Sequence, residues 1–245
     1  MNDDIYLKLA EVLDSLPNGF PRTESGVEIQ LLKKIFAPDE AELFCELKMT
    51  KETAAEISRR TGRPLPGLDE KLNDMWWKGQ IECDPTGGEK RYNLVPWVVG
   101  IFEFQVRNMD EEFARLHVEY IKTAGLFFMK KKPQVMQVVP IEKEAPDLNE
   151  TLPFAQVSAL LERSHSFAVN ECICKKQAGL IGRECSKPRE VCLLIAEKTG
   201  FYDNHPMAGR LITREEARSI LSMAEEAGLV HMTANMQQGQ WFICN

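Results

Sequence analysis

The sequence predicts an α+β protein in two parts: a mainly helical amino-terminal half carrying a small hairpin module, then a small α+β domain rich in cysteine. Three observations lead there. The chain has 245 residues, more than the roughly 150 of an average domain, so two compact units are expected. Helical periodicity with turn signals fills the first eighty residues, and a β-hairpin pattern follows. Of the seven cysteines, four fall between positions 172 and 192.

Composition narrows the class. With 44% hydrophobic and 27% charged residues, 15 Gly and 13 Pro, the chain is neither collagenous nor a low-complexity segment, and it can bury a core. Its longest uncharged apolar stretches, Leu94–Phe102 and Val191–Ala196, fall well short of the ~18 residues of a membrane span. The start, Met-Asn-Asp-Asp-Ile-Tyr-Leu-Lys, lacks the basic, apolar and small-residue regions of a secretory signal, and a cytoplasmic location is expected. A net charge of -7 repels a polyanion unless basic residues gather on one face, so nucleic acid is a disfavoured partner. An odd number of cysteines without an export signal favours metal binding over disulfides.

The elements follow in order. Ile5, Leu9, Val12, Leu13 and Leu16 recur at helical spacing before the stop at Pro17-Asn18-Gly19, which predicts a first helix. A second is expected over about 25–36, and Pro38-Asp39-Glu40 opens a third toward Leu47. Thr50-Lys51-Glu52-Thr53 reads as a capping box for a fourth helix that breaks at Thr61-Gly62. A fifth is expected from about Pro66 to Lys78, with Leu68, Leu72, Met75 and Trp76 on one face. Gln80–Cys83, the turn Asp84-Pro85-Thr86-Gly87-Gly88 and Arg91–Val95 read as a hairpin. Helices followed by a two-stranded wing over about 25–100 predict a winged-helix-like module.

That module usually reads DNA, but its candidate recognition helix sets Asp69, Glu70 and Asp74 against Lys71 and Lys78. Phosphate contacts would then depend on Arg59, Arg60, Arg63, Lys90 and Arg91, so packing or partner docking is favoured. Trp76, Trp77 and Trp97 could stack bases, yet aromatic residues at this spacing are more often core. The run from Val98 through Phe104 is expected as strand or helix, continuing into a helix with Phe113, Leu116 and Tyr120 on one side. Lys130-Lys131-Lys132 reads as a solvated turn before a strand. The Pro-containing stretch 142–152 is the expected linker, dividing residues 1–141 from 153–245.

The second half carries the chemistry. After a short helix from about Pro153 to Arg163, Ser166–Val169 leads into Cys172, Cys174, Cys185 and Cys192, a C-x-C-x10-C-x6-C pattern. Four thiolates in so short a segment suit one soft-metal centre, either an iron–sulfur cluster or tetrahedral zinc. The single residue inside the first pair weakens zinc, whose knuckles usually hold two or more. Gly179 and Gly182 are expected to make the intervening loop flexible enough to bend around a bulky core. Lys175, Lys176, Arg183, Lys187 and Arg189 outnumber Glu171, Glu184 and Glu190. Such a positive surround would stabilise an anionic cluster and guide an acidic redox partner. Cys45 and Cys83 read as buried small hydrophobes. A thiol redox enzyme is the remaining alternative, without a C-x-x-C at a helix start to depress a thiol pKa.

Several segments occur in the order found in anaerobe iron–sulfur proteins of the 4Fe-4S ferredoxin type. They are Leu16-Pro17-Asn18-Gly19-Phe20-Pro21 with Glu24-Ser25-Gly26, Val98-Val99-Gly100-Ile101-Phe102-Glu103, Cys172-Ile173-Cys174, Cys185-Ser186-Lys187-Pro188 and Glu190-Val191-Cys192. Over nearly its whole length the chain resembles that family. The resemblance implies a winged-helix-like amino-terminal region, a central cysteine-rich region and a role in anaerobic electron transfer. Family members often run on past a segment like Phe242-Ile243-Cys244-Asn245 into further cysteines and a ferredoxin-like domain. A truncated product is therefore expected, in which Cys244 is either a ligand or the remnant of a lost site.

Thr213-Arg214-Glu215-Glu216 is a capping box for a helix with Ala217, Ile220, Leu221 and Ala224 on its apolar face, ended by Gly228. Leu229–Met232 then reads as a strand. His117, His165, His205 and His231 have no hydrolase spacing, though His165 and His205 lie nearest the cysteines in sequence. There is no P-loop, nucleophile elbow or dinucleotide fingerprint. The reading is an electron-transfer or accessory protein, more a carrier than an enzyme, binding one cluster through Cys172, Cys174, Cys185 and Cys192 and serving a protein partner. A metal- or redox-responsive winged-helix regulator and a structural zinc protein are the alternatives.

Overall fold

A computed structural model describes residues 3–130, 132–139, 157–235 and 239–245. The expected linker at 142–152 lies outside the described residues. Helices and small sheets mix along the chain, which divides into two compact units: Met1–Lys131 with Gln177–Arg183, and Lys132–Lys176 with Glu184–Asn245. Among the described residues no helix is long and apolar enough to cross a membrane.

The first unit contains α1 (Asp4–Ser15), α2 (Val27–Ile35), α3 (Pro38–Glu46), α4 (Ala54–Thr61) and α5 (Leu68–Trp77). Leu9, Ala10 and Leu13 of α1 and Leu31 and Leu32 of α2 are fully buried, so the spacing read from sequence marks the packed face. The cap of α4 lies three residues later than expected. Thr53 Oγ1 accepts from Glu56 N at 3.2 Å while Glu56 Oε2 accepts from Thr53 N at 2.8 Å, satisfying two helix-end donors. At α3, the Glu40 carboxylate accepts from Ala37 N at 2.8 Å and from Lys78 at 2.6 Å.

The hairpin pairs β1 (Glu82–Asp84) with β2 (Arg91–Asn93), and Glu52 bridges to Tyr92 on the far side of β2. The tryptophans divide: Trp76 and Trp97 are buried, whereas Trp77 at the end of α5 is 51% exposed. Residues 97–101 form a tight turn that is neither a regular strand nor a regular helix, since Val98, Val99 and Gly100 all leave helical geometry. The short turn α6 (Phe102–Phe104) and then α7 (Glu111–Lys130) follow. Phe20 packs against Trp97 and Tyr120, both with ring centroids 4.9 Å away, and Asn18 Nδ2 donates to Val98 O. Two segments eighty residues apart thereby build one aromatic core.

The second unit holds β3 (Met136–Val138), α8 (Val157–Arg163), β4 (Ser166–Glu171), the first turn of α9 (Ile173–Leu180), whose residues from Gln177 belong to the first unit, then β5 (Glu190–Ala196), β6 (Arg210–Leu211), α10 (Arg214–Glu226), β7 (Met232–Ala234) and β8 (Phe242–Ile243). Its four-stranded antiparallel sheet runs β6-β4-β5-β8, and β3 pairs with β7. Phe167, Val169, Leu193, Ile195 and Ile243 pack against Leu160 and Leu161 of α8 and Ala217 and Leu221 of α10. Each of the Val, Leu, Ile and Phe side chains among them contributes about 1.5–3 kcal/mol on burial.

Two sequence expectations change here. Ile173–Leu180 is a helix, with Gly179 inside it, so the loop expected between Cys174 and Cys185 is confined to the residues after Leu180. The strand expected over Leu229–Met232 lies instead at Met232–Ala234, and Val230 is 57% exposed. The capping box at Thr213 forms as read, with Glu216 N donating to Thr213 Oγ1 at 3.1 Å.

Gly209 approaches β4 closely. A Cβ there would lie 2.7 Å from Val169 O and 3.0 Å from Asn170 Oδ1, so Gly209→Ala forces backbone apart. The expected loss is about 1–3 kcal/mol, read as a lower urea midpoint at unchanged slope.

Candidate metal and redox site

Strand β4 ends in a bulge between Asn170 and Glu171, and Cys172 N then donates to Arg189 O at 2.8 Å. Cys172 thereby becomes the residue that starts α9, its carbonyl accepting from Lys176 N at 2.9 Å. The first amides of a helix have no partners within it, so a side-chain acceptor at this position is stabilised. The Cys172 sulfur takes that role.

Cys172 is only 7% exposed and packs beside Val191 and Ala224, with Leu229 adjoining, whereas Cys174 is exposed. The Cys174 thiol hydrogen-bonds to the Cys172 sulfur. With that bond first, followed by the Lys175 amide, the Lys175 ammonium and the Cys174 amide, the Cys172 thiol is brought down to about 6 against the opposing effect of burial. A C-x-C at a helix start can therefore depress a thiol without the longer motif.

Lys175 is the countercharge. It is 8% exposed, and its ammonium donates to Pro188 O at 2.8 Å and to the main-chain oxygen of Asn245 at 3.4 Å. Its positive charge also acts on the Cys172 sulfur, and burial makes that attraction stronger than it would be in water. Asn245 is held in turn by His231 and by Val191 O. Of the other basic residues read as surrounding the cysteines, Lys187 donates to Ala227 O and Arg189 lies 3.6 Å from Glu171.

Lys175→Met is expected to shift the ionisation of Cys172 up toward the ordinary thiol range. The pH profile of iodoacetamide alkylation at Cys172 measures it: wild type gains reactivity through about pH 6, the variant only at higher pH.

The remaining cysteines stand differently. Cys192 faces Asn170 across the sheet, between Val191 and Leu193, which both pack on the α10 side. Strand alternation turns its side chain to the opposite face. The β5–β8 register, Leu193 with Ile243 and Leu194 with Phe242, brings Cys244 beside Cys192 on that same face. Strand alternation around Ile243 was the signal that could have associated Cys244 with Cys192. Cys185 is half-buried in the irregular stretch after α9. Among the described residues, no three or more His, Cys, Asp or Glu side chains are gathered so as to hold a metal ion. Cys172 and Cys174 meet; Cys185 and Cys192 do not join them in one such group.

Cys83 is fully buried and its thiol pushed up to about 12, and half-buried Cys45 to about 11, in both cases by burial; both are inert at neutral pH. His165 is exposed, while His205 is buried and its Nδ1 accepts from Met207 N at 3.1 Å.

No family model, curated protein or solved structure matches the chain. The site's chemistry therefore rests on its own residues. They fit a soft inorganic group in donor type: one stabilised thiolate, a second thiol in contact with it, backbone amides and a buried ammonium that offsets negative charge.

Proposed function

We propose that the chain is a cytoplasmic iron–sulfur protein of anaerobic redox metabolism, acting in electron transfer or as an accessory to it. Cys172, Cys174, Cys185 and Cys192 would hold one cluster of the 4Fe-4S type, and a protein partner would exchange electrons with it. The observation that carries this reading is the Cys172–Cys174 pair at the start of α9, with one sulfur held as thiolate beside the buried Lys175 ammonium. A bound cluster would supply the one-electron chemistry. Lys175 and the first amides of α9 would offset its negative charge, and Cys172 and Cys174 would anchor it to the end of β4. Cys185 and Cys192 would complete the ligand set as metal binds, because thiolate sites commonly form together with their local fold. The resemblance to anaerobe ferredoxin-type proteins supports the same reading.

In the first unit, α3, the bridging residue Glu52, α4, α5 and the β1–β2 hairpin follow in the order of a winged helix. Four of the five basic residues that phosphate contacts would need are engaged internally, Arg60 with Glu52, Arg63 with Glu46, Lys90 with Asn73 and Arg91 with Glu56, and Arg59 is exposed. Phosphate binding would have to break these pairs, so we assign the module to protein docking. The metal- or redox-responsive regulator is the second reading, and salt-dependent binding to duplex DNA would favour it.

Purification without oxygen followed by iron, sulfide and zinc quantification tests the proposal. Iron and acid-labile sulfide in matching amounts, lost in Cys172→Ser, are expected. Zinc alone would make the centre a structural staple, and absence of all three would remove it.

A further inference from the structure

We infer that, in the metal-free chain, Cys172 and Cys174 form a reversible dithiol–disulfide couple that reacts with small-molecule disulfides. The inference concerns the site proposed above but does not require that a cluster ever occupies it.

The two sulfurs are hydrogen-bonded to one another, and only Cys174 is open to solvent. Residues two apart lie at most about 7 Å from Cα to Cα, and closer at a helical turn, so they reach the roughly 4.4–6.8 Å that a disulfide spans. Both residues lie at the junction where β4 passes into α9. The buried Lys175 ammonium, which also donates to Pro188 O and to the main-chain oxygen of Asn245, acts on the Cys172 sulfur and stabilises negative charge that develops there during exchange. Cys45 and Cys83 lie in the other compact unit and lack this setting.

The steps balance with a disulfide RSSR as oxidant. The Cys174 sulfur attacks one sulfur of RSSR, the S–S bond breaks, and RS⁻ leaves. The Cys174 proton passes along the hydrogen bond to Cys172 and then to the departing RS⁻, giving RSH. The Cys172 thiolate attacks the Cys174 sulfur of the mixed disulfide and expels the second RS⁻. The protein loses two electrons and RSSR gains them.

The test uses the full chain, chelator-treated and reduced without oxygen, then exposed to excess glutathione disulfide, alkylated and mapped by peptide mass spectrometry. The peptide holding both cysteines is expected to lose two hydrogens and resist alkylation, with full recovery on reduction. In Cys172→Ser, a glutathione adduct should instead persist on Cys174. A stable adduct on Cys174 of the wild type, or a disulfide joining Cys174 to Cys185 or Cys192, would overturn the inference. Because no metal is present, these outcomes are separate from the iron and sulfide content that tests the cluster.

Discussion

Trp97→Ala is expected to destabilise the chain by about 3–5 kcal/mol, the largest loss expected from any one side chain in the aromatic core of the first unit. Trp97 is fully buried, with ring centroids 4.9 Å from Phe20, 6.0 Å from His117 and 6.3 Å from Tyr120. Truncation removes the side chain on which the 97–101 turn, the 18–20 segment and α7 converge, and a packed core relaxes only partly into such a void. Trp97→Phe keeps a ring there and removes an indole N–H that finds no acceptor among the described residues, so it should cost much less. Urea midpoints of the two variants measure the difference. Equal losses would show that ring packing is not what holds these segments.

Buried His117 and half-buried Glu103, beside that core, should give opposing pH responses, each worth about 3 kcal/mol across its window. Burial lowers His117 from 6.5 to about 4, against the hydrogen bond to Gln177. Between those values the unfolded chain binds the proton and the folded one does not, so this group's stability is complete above about pH 6.5 and is lost as pH falls toward 4. Burial raises Glu103 from 4.5 to about 7, although Gly100 N donates to its carboxylate at 2.7 Å. Here the folded chain holds the proton, and stability present below about pH 4.5 is lost as pH rises toward 7. Wild type should therefore show a shallow dependence between about pH 4.5 and 6.5. Glu103→Gln should leave a curve that rises with pH, and His117→Phe one that falls. Urea denaturation at a series of pH values measures all three, and parallel slopes would contradict the assignment.

These effects also mark what the sequence could convey. Leu9 and Leu13 in α1, and Ala217 and Leu221 in α10, announce their helices because each buries one stripe against a single partner surface. Helix α9 has no such stripe. Of its residues only Ile173 and Lys175 are buried, and the lysine's partners, Pro188 and Asn245, lie thirteen and seventy residues away. Strand β5 appeared only as an apolar run, because a central strand packed on both faces loses the alternation that distinguishes strand from helix. The cysteines were legible as a soft-ligand pattern from spacing alone. Their division was not, because the bulge at Asn170–Glu171 and the β5 register decide which face each sulfur takes. Lys175 was visible only as one of several basic residues; its burial makes it the countercharge.

Iron-edge X-ray absorption of the full chain purified without oxygen tests the central claim most directly, because it counts the atoms around the metal. Iron surrounded by sulfur alone, with neighbouring iron at cluster distance, is expected, and this signature should be lost in Cys172→Ser. Iron ringed by nitrogen and oxygen, or a chain that binds no iron at all, would contradict the claim.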